Sequence, residues 1–312
     1  MWQAVFENLC AKIIKRDKVP RHVAFVADGA RRFGKKYNIP VQENHEIGLF
    51  GVMWQVIDWC VLLGIREYSI LMYSFGNYNR PKDEVQHWVV VLKIWLFKCI
   101  MNWKTLEEKG IKFNFYGKLE LIPEEINALM GMLYLMTRNN TKCVVNMAMG
   151  YTGRHEMSKV AFELYQAIQA GIIEDDHLTE ELFTESLFAI ENRNVDLLIR
   201  TSGYKRISDF LSWQAAGAIQ YYSDVLWPEF STMDFLKAVL YYQMHRKPAK
   251  NRDRNFPEQT SNFLTKSKDE KRNYLLKYCF EMGFLPTKDL SEMYSIDNEQ
   301  LYRCFKIKYN LI

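Results

Sequence analysis

Six short runs rich in β-branched and aromatic residues recur along this chain, and all but the last two are separated by a long helical pattern. The runs read "HVAFVAD", "REYSILMYSF", "IKFNFYG", "CVVNMAMGY", "VDLLIRTSG" and "AIQYYSD". Helical candidates fall near residues 43–63, 81–109, 122–138 and 154–171. Strands that alternate with helices of this length pair in parallel, because each crossover helix carries the chain back across a sheet face. The expected fold class is α/β, a mainly parallel central sheet flanked by helices. At 312 residues and 48% hydrophobic content the chain is long enough for a large core.

Two regions lie outside this alternation. In "MWQAVFENLCAKIIKRDK", residues Trp2, Val5, Phe6, Leu9, Ile13 and Ile14 recur at helical spacing beside Lys12, Lys15 and Arg16. This amphipathic N-terminal helix, residues 1–20, either docks on the protein's own core or lies on a membrane surface. No charged start followed by an apolar run and a small-residue site marks a signal peptide. The longest apolar region, "HWVVVLKIWLFKCIMNW", is broken by Lys93 and Lys98, so no transmembrane segment is expected. After residue 246 the composition turns polar in "HRKPAKNRDRNFPEQTSNFLTKSKDEKRN". A domain over 21–246 followed by a linker and a helical C-terminal tail over 247–312 is the expectation.

The net charge of +4, from 41 basic and 37 acidic residues, gives no reason to expect a nucleic-acid partner. Six cysteines without a CxxC pair or a close histidine argue against zinc and fit reduced, mostly buried thiols in a cytosol-facing protein.

Chemistry concentrates at two strand ends. "HVAFVADGARRFGKK" runs from an apolar strand into Asp28, Gly29 and the cations Arg31, Arg32, Lys35 and Lys36. A helix starting near Ala30 offers free N–H groups and the positive end of its dipole to an anion. The lone carboxylate makes sense there as a ligand for Mg²⁺, which binds through one or two carboxylates plus phosphate oxygens and water. The competing reading is an Asp N-cap on a solvated basic helix. "DLLIRTSGYKRISDF" repeats the theme, with Arg200, Ser202, Arg206 and Ser208 after a second strand. Neither GxxxxGK[ST] nor GxGxxG is present, so the phosphate chemistry is neither a P-loop nor a dinucleotide fingerprint.

The ordered set "HVAFVADGARRFGKK", "FGNYNRPKDEV", "NMAMGYTGRHEM", "LLIRTSGYKRISDFLSWQ" and "VLWPEF" resembles the cis-prenyltransferases, the undecaprenyl diphosphate synthase family, and within it the eukaryotic dehydrodolichyl diphosphate synthase catalytic subunits. The resemblance implies elongation of an allylic diphosphate such as farnesyl diphosphate by isopentenyl diphosphate, with Z double bonds formed and diphosphate released. It places Mg²⁺ on Asp28 and the allylic diphosphate on Gly29, Arg31 and Arg32, with His45 nearby. Arg200, Arg206 and Ser208 match isopentenyl diphosphate contacts, Asn77 would assist proton removal, and Arg80 would touch diphosphate or support the site. Trans-prenyltransferases carry DDxxD pairs, and Glu174, Asp175 and Asp176 lack that spacing. An apolar product tunnel is implied along residues 47–63 and 85–103, with Trp54, Val56, Trp59, Leu62, Val89, Leu92, Leu96 and Ile100 as candidates. Each added isoprene unit then buries about 4 kcal/mol of apolar surface.

Several positions depart from the family pattern. Ala30 replaces an asparagine, Val41 an arginine and Tyr204 a glutamate, while Ile219 stands where bacterial members have a metal-binding glutamate. The F-S-x-E-N motif reads as a shortened "FGN", Phe75 to Asn77, lacking its serine and glutamate. The C-terminal RxG motif is absent from "HRKPAKNR". Two-subunit eukaryotic members take that motif from a membrane-anchored partner, which implies a heteromer on the cytosolic face of the endoplasmic reticulum membrane, with "FLKAVLYYQMH" and "VLWPEF" near the contact. The enzyme and a degenerate, non-catalytic or regulatory subunit are the two functional classes these departures leave.

Overall fold

A computed structural model describes residues 2–188, 194–246 and 256–311; of residues 2–6, 8, 41 and 42 the backbone alone is described. The chain opens with α1 (Trp2–Ile14), β1 (His22–Val26) and α2 (Ala30–Tyr37). One long helical stretch follows, made of α3 (Val41–Glu46), a π-turn (Ile47–Val52) and α4 (Met53–Leu63). β2 (Glu67–Ser74) leads through a 3₁₀ turn (Phe75–Asn79) into α5 (Lys82–Met101) and α6 (Trp103–Lys109). Next come β3 (Ile111–Gly117), α7 (Glu124–Thr137), β4 (Cys143–Tyr151), α8 (Gly153–Gln169) and α9 (Glu180–Ser186). β5 (Leu197–Arg200), β6 (Ile219–Tyr222) and α10 (Thr232–His245) precede α11 (Glu258–Glu281), α12 (Leu290–Ser295) and α13 (Asn298–Lys308).

All six expected strands form, and they pair in parallel in the order β3-β4-β2-β1-β5-β6. Every residue of β1, β4 and β5 is buried, which is why those runs are continuously apolar rather than alternating. From β1 the chain crosses to β2 on one side, and from β5 to β6 on the other. A crevice therefore opens at the carboxyl ends of β1 and β5, the switch point where open α/β sheets bind ligands.

The main core sits between the sheet and the α4, α5, α7 and α10 helices, where Phe25, Tyr68, Trp95, Phe113 and Phe235 are at most 2% exposed. Glu43–Leu63 is long and apolar enough to cross a membrane by length and composition, but half of it is buried inside the protein. It is a core helix covering the sheet.

The C-terminal helices pack on the body rather than trailing from it. Leu275, Leu276, Cys279, Phe284, Leu301 and Phe305 join the main core, and α11 lies along α7. At Gly131 a Cβ would come within 2.6 Å of Cys279 Sγ and 2.9 Å of the Leu275 carbonyl, so only glycine permits this helix contact. Of the polar stretch expected as a linker after residue 246, the part from Glu258 on is instead the start of α11, whose buried face the average polarity conceals, and residues 247–255 lie outside the described residues.

α1 buries Ala11 and Ile14 and leaves Leu9 and Ile13 each 55% exposed. The Ile14 carbonyl accepts from Gln243 Nε2 at 2.8 Å, and Lys15 Nζ donates to the Leu62 carbonyl at 3.1 Å. The amphipathic helix thus docks on the body along one edge, and Trp2, Val5 and Phe6 lie outside the described side chains. All six cysteines are free thiols, four of them buried.

Candidate active site

Register sets the first contact. Val26 pairs with Arg200 across β1 and β5, so Asp28, two residues on, reaches over the end of β5. Its Oδ2 accepts from Arg200 Nη2 at 2.6 Å. Arg200 is 2% exposed, and its Nη1 donates to Ser208 Oγ at 2.5 Å and to the Arg206 carbonyl at 3.0 Å. A buried guanidinium persists only with such partners. Thr201 ties the two strand ends together, accepting from the Asp28 N–H at 2.9 Å and donating to the Asp28 carbonyl at 2.6 Å. Trp227 N–H donates to that carbonyl too, at 3.0 Å.

Asp28 is not the helix cap. Gly29 caps α2, at φ +110°, and α2 has no side-chain cap bond, so its amino-terminal N–H groups are left for a ligand. A Cβ on residue 29 would lie 3.0 Å from Leu226 Cδ2 and 3.1 Å from Ser202 Cβ, in a backbone region side chains rarely adopt.

Arg31, Arg32, Lys35, Arg80, Arg200 and Arg206 line one cleft of about 760 Å³, in which Asp28 is the single carboxylate among the described lining residues. Gly29, His45, Asn77 and Ser208 line it as well. Every residue to which the resemblance gives a catalytic, metal or diphosphate role therefore borders a common space; Ser202 does not line it. Nor does Lys36, which is 2.7 Å from Glu229 Oε1, on the far side of α2. Arg32 lies 3.8 Å from Asp28 Oδ2 and donates to the Ser202 carbonyl at 2.9 Å.

The opposite wall grows from β2 and α5. Arg80 Nη1 donates to Glu84 Oε1 at 3.0 Å, one helical turn on. His45 Nε2 is 3.8 Å from the same oxygen, and burial, reinforced by Arg80, lowers the His45 pKa to about 4 despite Glu84. The imidazole is neutral at physiological pH. Asn77 Oδ1 accepts from the Ser74 N–H at 2.7 Å and from its hydroxyl at 3.0 Å. This corrects the expected motif loss. F-S-x-E-N puts serine three residues before asparagine, and Ser74 holds that place, so the serine is kept while Tyr73 stands for the phenylalanine and Gly76 for the glutamate.

Behind the charged rim the cleft floor is apolar, made by Leu49, Met53, Ile70, Trp88 and Val91. The side chains expected along the tunnel are mostly packed core: Val56, Leu92, Leu96 and Ile100 are 0% exposed, and Trp54 stacks on Trp95 with centroids 5.6 Å apart. Val89 borders a separate apolar groove of about 560 Å³ with Leu121 and Ile122, which shares Tyr73 and Trp88 with the cleft.

In the run "VLWPEF", Trp227 lines the cleft and Phe230 joins the core, 5% and 2% exposed, while the other four residues are partly exposed. On α10, in contrast, Met233, Leu240, Tyr241 and Met244 are exposed, Met244 at 79%.

Thr201, Trp227, Glu84 and Asn44 are site residues the motifs did not single out. Asn44 lines the cleft fully buried, and neither polar atom of its amide finds a partner among the described residues. Its signal in the sequence was only its place beside His45.

Asp28 fits the Mg²⁺ role by its chemistry: a hard oxygen donor in the cleft, with Oδ1 accepting no hydrogen bond from the described residues. The acidic group with mutual ligand spacing, Glu174, Asp176 and His177, sits between α8 and α9, outside the cleft lining. A cavity of about 240 Å³ bordered by Asn114, Lys159 and Lys271 is also separate from it.

A cationic crevice with one carboxylate and an apolar floor, at the switch point of a parallel sheet, suits a ligand with an anionic head and an apolar body. The family model described as "Putative undecaprenyl diphosphate synthase" matches residues 26–249, and the chain belongs to that family, the cis-prenyltransferases. It is 33% identical over 242 residues to the human (Homo sapiens) dehydrodolichyl diphosphate synthase complex subunit DHDDS, covering 78% of this chain and 72% of that protein. A tritrans,polycis-undecaprenyl-diphosphate synthase of Archaeoglobus fulgidus is 29% identical over 79% of this chain and 98% of its own length. The crystal structure of lavandulyl diphosphate synthase from Lavandula x intermedia, in complex with dimethylallyl diphosphate, superimposes with a TM-score of 0.70 at 27% identity, covering 74% of this chain and 98% of that one.

Proposed function

We propose that this chain is the catalytic subunit of a cis-prenyltransferase that condenses isopentenyl diphosphate onto an allylic diphosphate of the farnesyl class, making long-chain polyprenyl diphosphate for dolichol synthesis and protein glycosylation. The observation that carries the reading is the Asp28–Arg200 contact at 2.6 Å, which draws two cationic strand ends around one carboxylate above an apolar floor. Residues 21–246 form the catalytic unit, preceded by the N-terminal helix and followed by the 247–312 extension.

Arg31, Arg32 and the N-terminus of α2 hold the allylic diphosphate. When bound at Asp28, Mg²⁺ supplies positive charge to the leaving diphosphate. The allylic C–O bond breaks with its electron pair on the diphosphate, and the isopentenyl double bond forms the new C–C bond. Arg200, Arg206 and Ser208 hold the second diphosphate so that this double bond faces the reacting carbon. The released diphosphate takes up the proton lost from the carbon beside the new cation, which restores a double bond, and Asn77, held by Ser74, assists that removal. Positioning and fixed charge supply most of the rate.

The exposed apolar stripe of α10 supports a heteromer whose membrane-anchored partner supplies the RxG motif. Leu9 and Ile13 on α1 support peripheral contact with the endoplasmic reticulum membrane from the cytosolic side. Ala30 and Gly76 favour the second reading, a non-catalytic or regulatory subunit, because each removes a polar side chain the family pattern carries.

Co-expression with an anchored partner, followed by incubation with farnesyl diphosphate, labelled isopentenyl diphosphate and Mg²⁺, tests both. Labelled polyprenols that vanish with Asp28→Ala support the enzyme. A stable pair that gives no product selects the non-catalytic subunit.

A further inference from the structure

Tyr204 stands where the family pattern has a glutamate, and as a sequence change it reads as a lost contact. The geometry points to a gain instead. Beyond Arg200 the chain turns sharply through Ser202 at φ +83° and Gly203 at φ +79°, fixed by Ser202 N–H to the Val225 carbonyl and Gly203 N–H to the Ser223 carbonyl, both 2.8 Å. The turn delivers Tyr204 to the cleft rim, half exposed, between the two cationic strand ends. The guanidinium carbon of Arg32 lies 4.6 Å from the ring centroid, and that of Arg206 lies 5.2 Å away.

We propose that Tyr204 is a positioning residue for diphosphate recognition, its ring holding Arg32 from α2, on the allylic side, and Arg206 from the β5 loop, on the isopentenyl side, in place where the two anion sites meet. Two guanidinium groups near one point repel, and the negative faces of an aromatic ring offset that repulsion. A carboxylate at this position would also gather them, but it would cancel one positive charge and compete with the incoming anion. The ring leaves both charges free for phosphate oxygens. Arg32 is further held by its bond to the Ser202 carbonyl, so one turn orders both cations. This inference rests on the reading of the cleft as a diphosphate site.

Inorganic pyrophosphate is the probe, titrated calorimetrically at low salt into the full chain and into Tyr204→Phe and Tyr204→Leu. The phenylalanine variant keeps the ring and binds within about twofold of the natural protein. The leucine variant keeps bulk without a π face, and its affinity falls by about threefold to tenfold. In turnover, Tyr204→Leu raises the KM for both the allylic and the isopentenyl diphosphate while kcat changes little, a split that a general loss of structure does not produce. Equal binding by leucine and tyrosine overturns the proposal, as does a phenylalanine variant as weak as leucine. Should the leucine variant fail to fold, Tyr204→Trp serves: its larger face binds pyrophosphate at least as tightly as tyrosine, and weaker binding overturns the proposal. A natural protein that binds pyrophosphate but forms no product removes the enzyme reading and leaves this one standing.

Discussion

The two walls of the cleft are built by different means. The wall at the ends of β1 and β5 joins residues 172 apart in the chain, Asp28 and Arg200, by strand register alone. The wall at the end of β2 is local: Ser74 grips Asn77 three residues on, and Arg80 grips Glu84 four residues on. One wall therefore depends on the whole sheet and the other on single turns of chain. Damage to the first should be felt in fold and chemistry together, and damage to the second mostly in one of them.

The largest effect is expected at Asp28. In Asp28→Ala the group that organises the leaving diphosphate is gone, and product formation should fall by about 1,000-fold. Arg200, 2% exposed, loses its carboxylate, and stability should drop by about 3 kcal/mol in urea unfolding. An active, fully stable variant would break the contrast between the walls.

His45 tests the local wall through pH. Its folded pKa of about 4 lies below the ordinary 6.5, so the unfolded chain binds the proton more readily. The contribution is complete above pH 6.5, shrinks as pH falls towards 4, and is lost below. It amounts to about 3 kcal/mol across that window. Urea midpoints measured from pH 7 to pH 4 should show this slope in the natural protein and a shallower one in His45→Gln.

Gly29→Ala sharpens the comparison from the register side. Its Cβ meets Leu226 and Ser202 at a positive φ, so a stability loss of about 2 kcal/mol is expected by thermal or urea unfolding. Ser74→Ala removes one capping hydroxyl from the local wall. A loss of about 1 kcal/mol, with a modest fall in turnover as Asn77 loosens, is the expected result by the same methods.

The local wall was also the more legible in the sequence, yet it was misread by one detail. "FGN" looked truncated because Phe75 was taken as the start of the motif. Spacing measured back from Asn77 recovers Ser74, and the capping bonds show why that spacing matters. The β1 and β5 ends were legible as chemistry, since both runs carry cations after an apolar strand, and their convergence on one site was expected; the direct Asp28–Arg200 contact was not. It depends on strand order, which no local pattern records. The tunnel candidates failed for another reason: apolar helix faces look the same whether they line a cavity or fill it, and here Val56, Leu92 and Leu96 fill it. The C-terminal helices were under-read because α11 is polar on average and shows its buried face only against α7.

That last contact governs the order in which the molecule can be completed during synthesis. α7 is finished at residue 137, but one of its faces waits for α11, whose Leu275 and Cys279 emerge almost 140 residues later. At ribosomal speeds the delay is on the order of ten seconds. Until then the face of α7 that will meet α11 stays bare and apolar, so chaperone occupancy should peak between translation of α7 and α11 and fall once the final helices dock.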